Sequence, residues 1–173
     1  MARMSVDAST TQITTSMPKG TVARSTITAV DVVTSAIKAD GTGGNPMAVL
    51  EWTVSDGPFT GRRVGFHNVM LGGVTKAGNP MPLRELCSLI DAVKAPWATS
   101  ADKPLVSRPF KRVKQDNGNI LFIDPDTGDQ VTNIDMNFPD DFLSKDAKVR
   151  FGVRKQLGSD REYNEVSDMM PLD

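Results

Sequence analysis

Three strand-like stretches, one amphipathic helix and then further strand-like stretches follow one another along 173 residues. That order predicts a mainly β protein: an OB-like Greek-key antiparallel barrel with one helix between strands 3 and 4, the helix plugging one end. An antiparallel sandwich carrying one helix fits nearly as well. Parallel α/β architecture does not, because a single helix cannot supply the crossovers. The length suits one domain with a real core and an ordered extension.

Residues 1–19 are rich in Ser and Thr and hold no aromatic anchor, so they read as a flexible arm ahead of an OB-like domain at 20–167. From Thr21 to Val33, β-branched residues alternate roughly (Val22, Ile27, Val30, Val32, Val33), which predicts a long, bulged strand. The stretch "KADGTGGNP" is a hairpin loop, since no Gly-Lys-Ser/Thr follows that would make it a phosphate loop. In "MAVLEWTVS", Leu50, Trp52 and Val54 share one face, the core side, and Val49, Glu51 and Thr53 the other. The third strand, Arg62 to Met70, splits into Arg62, Val64, Phe66, Asn68 and Met70 against Arg63, Gly65, His67 and Val69. Leu83, Leu86, Ile90 and Val93 then recur at helical spacing between prolines. An irregular linker spans 94–119, "NILFID" resumes as a strand, and "KVRFGVRKQ" and "REYNEV" flank a turn at "LGSD". Residues 168–173 read as a C-terminal tail.

The constellations needed for catalysis are missing, which predicts a protein that is not an enzyme. The single histidine, His67, has no nucleophile motif around it and reads as a surface or interface residue. One Cys and one His cannot make a dedicated zinc site, and "DPDTGD" departs from the calcium-loop pattern, so neither metal nor cofactor is expected. Cys87, alone, excludes an internal disulfide framework and reads as core packing. No apolar run is long enough for a membrane span, and the default location is cytosolic.

Charge is more informative in its distribution than in its net value of −1. Residues 103–114 hold Lys103, Arg108, Lys111, Arg112 and Lys114 around Phe110 with no acid. Residues 148–155 hold Lys148, Arg150, Arg154 and Lys155, again with no acid. In a strand Arg150 and Arg154 share a face with Gly152, where a ligand has room to approach. With Arg62, Arg63, Phe59, Phe66 and Tyr163, these stretches have the cations and rings of a single-stranded nucleic-acid groove. Solvated strand edges protected from aggregation explain the same charges equally well.

Three blocks carry a resemblance: "VSDGPFTGRRVGFHNVML", "LRELCSLIDAVKAPW" and "REYNEVSDMMP", in that order. They resemble a phage-encoded family long described as a domain of unknown function and similar to single-stranded-DNA-binding proteins. Asp56, Gly57, Pro58, Phe59, Gly61 and Arg62 match its turn, and Tyr163, Asn164 and Val166 its last strand. The resemblance implies an OB-like protein that binds single-stranded DNA during phage replication or recombination in the host cytoplasm. The residues expected to bind nucleic acid are Phe59, Arg62, Arg63, Phe66, Phe110, Lys111, Arg112, Lys114, Lys148, Arg150, Arg154 and Tyr163. The acidic, methionine-containing tail suits docking onto phage or host replication and recombination proteins, or competition with DNA, and homo-oligomers are compatible with all of this. A virion structural or assembly protein, or a small inhibitor of a host protein, are the alternative readings.

Overall fold

A computed structural model of the chain describes residues 16–78, 81, 83–97, 106–107, 111–117, 120–124, 127–130 and 138–173. It is mainly β, with one helix and one five-stranded antiparallel sheet among the described residues. The sheet contains β1 (Val22–Thr34), β2 (Pro46–Val54), β3 (Arg63–Met70), β8 (Asp146–Lys155) and β9 (Glu162–Met170), in the order β3-β2-β1-β8-β9. The helix, α1 (Arg84–Val93), lies in sequence between β3 and the later strands. Between it and β8 are two small two-stranded ladders. One pairs β4 (Pro96–Trp97) with β5 (Val106–Ser107), the other β6 (Lys111–Lys114) with β7 (Ile120–Ile123). The expected irregular linker at 94–119 therefore includes ladder residues.

The long first strand organises the sheet because it pairs on both sides. Its first part, Val22 to Thr26, pairs with β8, and Ser25 to Thr34 pairs with β2. Two bulges face Glu51 of β2. On one side Thr28 is the extra residue of β1, between the pairs Ile27↔Trp52 and Ala29↔Glu51; on the other, β3 fits an extra residue between His67 and Val64. Each bulge bends its strand and adds right-handed twist. Two at one level curl the sheet, and the two edge strands β3 and β9 approach each other without forming a ladder. Among the described residues no hydrogen-bonded ladder closes this sheet into a barrel.

The inner face is as the alternation predicts for β2: Ala48, Leu50, Trp52 and Val54 are buried. Ile27, Val149, Phe151 and Phe142 complete the sheet side of the core. Against it α1 presents Leu86, Cys87, Leu89, Ile90, Ala92 and Val93, packing on β3, β8 and β9. The helix ends at Lys94, whose left-handed conformation returns its N–H to the Ile90 carbonyl. Cys87 is core packing, as expected.

Residues 16–19, expected in the arm, and 168–170, expected in the tail, are tied into the fold. Met17 is fully buried, and Asn164 holds its backbone from both directions: Met17 N–H donates to Asn164 Oδ1 at 2.7 Å, and Asn164 Nδ2 donates to the Met17 carbonyl at 2.9 Å. So residues 16–19 are docked, while 1–15 lie outside the described residues. At the other end Asp168 to Met170 continue β9, with Met169 in the core. Val166 and Met169 were legible as apolar; the bulge at Ser167 that brings Met169 inward was not. No helix among the described residues is long and apolar enough to cross a membrane.

Candidate nucleic-acid interface

The seam between β3 and β9 opens into a groove of about 960 Å³. One wall is Arg62 to Asn68; the other is Arg154, Gln156 and Arg161 to Val166. Two turns deliver these walls. The turn after β2 needs positive φ at Gly57 and Gly61, and its start is pinned to β1 by the Arg24 N–H donating to Asp56 Oδ1 at 2.9 Å. It releases Arg62 and Arg63 directly into β3. The second turn, closed by Gln156 N–H donating to the Arg161 carbonyl, sets Arg161 and Tyr163 beside Arg154, which pairs in register with Tyr163.

Five of the twelve residues expected from the sequence meet here: Arg62, Arg63, Phe66, Arg154 and Tyr163. Arg161 joins them; standing alone beyond a turn rather than in a basic run, it gave no signal in the sequence. Phe59 instead packs half-buried against the core. Lys148 and Arg150 lie farther along β8, where Asp173 approaches Lys148 Nζ at 2.5 Å and Asp168 lies 3.9 Å from Arg150. The hydrogen bond and charge of Lys148 hold the Asp173 carboxyl below its ordinary pKa. Lys114 is exposed in β6 and does not line the groove, Lys111 and Arg112 belong to the same strand, and Phe110 lies outside the described residues.

Phe66 is the most unusual residue of the wall. It is 90% exposed and sits at φ 56°, a left-handed conformation that a bulky side chain rarely adopts. Exposure leaves about 1.5–3 kcal/mol of burial unrealised, and the backbone conformation costs about 1–2 kcal/mol more. Such strain persists only where neighbouring structure over-determines it. The bulge is the cause: it moves Phe66 out of the Val64 face, where simple alternation had placed it, and turns His67 inward instead.

His67 is therefore a buried residue, 7% exposed, and not the surface or interface histidine expected from the sequence. Trp52 Nε1 donates to His67 Nδ1 at 3.0 Å, and His67 Nε2 lies 2.6 Å from Glu85 Oε1 of α1. An indole N–H can only donate, so Nδ1 accepts, and the ring is the Nε2–H tautomer donating to Glu85. Nothing in a single-sequence pattern pairs these three residues.

The groove's charge is mixed. Four arginines face three glutamates, Glu85, Glu162 and Glu165, so field alone does not make it a strong phosphate trap. Two acids are committed locally: Glu85 to His67, and Glu165 to Arg154 at 3.0 Å. Glu165 also covers Gly152, whose Cβ position would meet its Cγ at 3.4 Å; the room expected beside this glycine is filled by the chain itself. Arg63 and Arg161 form no ion pair among the described residues. Nor does any group of three or more His, Cys, Asp or Glu side chains converge among those residues in a way that could hold a metal ion. In comparisons with known proteins, no family model matches the chain and no curated protein is significantly similar to it.

Proposed function

We propose that the chain is a non-enzymatic single-stranded DNA-binding protein and that the β3–β9 groove is where the strand lies. The exposed, strained Phe66, in one groove with Arg63 and Arg161, which form no ion pair among the described residues, is the observation that carries this reading. Bases of a single strand can stack on Phe66 and on the half-exposed Tyr163, while arginines take the phosphates. Duplex DNA hides its base faces and gains nothing from such rings.

The finer fold reading belongs to the same proposal. With β8 and β9 counted as strands 4 and 5, the order β3-β2-β1-β8-β9 is the strand sequence of an OB-like Greek-key barrel left open between its third and fifth strands. OB domains bind oligonucleotides on the face of strands 2 and 3 and through the loops 1–2 and 4–5. Here β3 and the turn between β8 and β9 make the groove. A role in phage replication or recombination follows from the resemblance of the three sequence blocks.

The test is fluorescence anisotropy with a labelled mixed-sequence 20-mer, single-stranded or annealed to its complement. Binding of the single strand at least about tenfold tighter than the duplex, and weakened by Phe66→Ala, is the expected result. Equal affinity for both forms, or none for either, overturns the reading and leaves a virion or protein-docking role.

A further inference from the structure

Between two well-buried anchors, β3 has one residue too many. Val64 stands opposite Trp52 and Val69 opposite Ala48, and both are buried; four residues of β3, 65–68, therefore face three of β2, 49–51. A bulge is obligatory, but its position is not. Placed at Gly65–Phe66, it turns His67 inward, as observed. Moved by two residues to 67–68, it would keep Val64 and Val69 inward and bury Phe66 in place of His67. Apolar burial favours the second arrangement, because a phenyl ring gains more from the core than an imidazole does. It would also release Phe66 from φ 56°.

We propose that His67 is the positioning residue that holds Phe66 in the groove, through the hydrogen-bonded chain Trp52–His67–Glu85. This deepens the single-strand-binding reading and rests on it. Trp52 Nε1 donates to His67 Nδ1 at 3.0 Å, which satisfies an indole N–H that is otherwise buried with the fully buried ring. His67 Nε2–H then donates to Glu85 at 2.6 Å, joining β3 to the first turn of α1. Moving the bulge would break both bonds and strand the Trp52 donor, and a buried donor without a partner is costly. The two bonds thus outweigh the burial of Phe66 and make the binding surface.

Glu85 gives the proposal an unusual sign. As a negative charge in the groove wall it should repel phosphate, so its removal should tighten binding if repulsion is all it does. If it holds His67, its removal should weaken binding. We expect Glu85→Ala and His67→Ala each to bind the single-stranded 20-mer roughly 10-fold more weakly, with the loss bounded by that of Phe66→Ala. Glu85→Gln, which keeps the acceptor oxygen, should bind within about twofold of the native protein or tighter. In a Phe66→Ala background neither His67→Ala nor Glu85→Ala should cost anything further, which a general loss of stability would not reproduce.

A second readout needs no DNA. In protein labelled with fluorophenylalanine, the 19F line of residue 66, assigned as the line missing in Phe66→Leu, should shift between H2O and D2O in the native protein. It should lose that shift in His67→Ala as the ring moves inward. Tighter binding by Glu85→Ala, additive losses in the Phe66→Ala background, or a ring that stays solvated in His67→Ala each overturn the positioning role. Failure of the native protein to bind single strands removes the functional reading alone, since the 19F measurement still decides whether His67 sets the bulge.

Discussion

The hairpin of β8 and β9 carries basic residues at both ends, and the two ends have different fates. At the turn end, Arg154, Arg161 and Tyr163 look across the seam toward β3 and join Arg62, Arg63 and Phe66 around the groove. At the far end, Lys148 and Arg150 meet Asp173 and Asp168, acids of the last strand and the residues after it. In sequence, residues 148–155 form one uninterrupted acid-free stretch. In space it is divided by what lies across from it: acids of β9 are present at both ends, Glu165 on Arg154 and Asp168 near Arg150, but only at the turn end does β3 add Arg62, Arg63 and Phe66.

The largest effect expected from this contrast is on stability at the far end. Met169 is 6% exposed in the core, so Met169→Ala should cost about 2–5 kcal/mol of unfolding free energy in urea titrations, with single-strand affinity of the folded protein unchanged. Deleting 168–173 should cost at least as much, because ladder partners of β8 are removed as well. A truncated chain as stable as the full one would mean that the far end is the dispensable tail its composition suggested.

At the turn end the effects should fall on binding. Phe66→Ala is expected to cost about 1–3 kcal/mol of single-strand affinity without lowering the thermal midpoint, since the ring buries almost nothing in the fold. A variant that melts earlier and binds normally would make Phe66 a structural residue and sink the contrast. Charge separates the two ends more finely. The pair Arg63→Ala and Arg161→Ala should flatten the log affinity against log salt plot by about 0.7 for each phosphate no longer neutralised, whereas Lys148→Ala with Arg150→Ala should leave the slope as it is. If both pairs flatten it equally, the strand runs along the whole hairpin and the acids of the far end do not shield it.

The smallest effect concerns Asp146 at the start of β8. Burial alone would raise its carboxyl pKa, but hydrogen bonds from Thr26 and Arg24 and the charge of Arg24 together hold it below the ordinary carboxylate value. A depressed carboxylate stabilises the fold above its unfolded pKa, and that contribution fades as pH falls through the folded value. Asp146→Asn should therefore be less stable than the native protein at pH 7, with the gap closing below about pH 4. A gap independent of pH would show that shape, not charge, matters at this position.

Local pattern by itself determined the elements: alternation in β2, the helical stripe of α1, the glycine turns before and after β2, and the aromatic and basic residues from which an interface could be assembled. These depend on side-chain period and on φ at single residues, both of which are properties of a few neighbours in the chain. Tertiary structure alone decided which strands lie edge to edge, and so which basic residues share a groove and which lie apart from it. It also decided where the extra residue of β3 goes. Regular alternation puts Phe66 on one face with Val64 and His67 on the other; the structure buries both Val64 and His67 and leaves Phe66 outside. The reason is that a bulge is fixed by partners on other elements, here an indole N–H on β2 and a carboxylate on α1, 15 and 18 residues from His67 in sequence. Hydrogen bonds over such separations leave no trace in the periodicity of the strand they reverse.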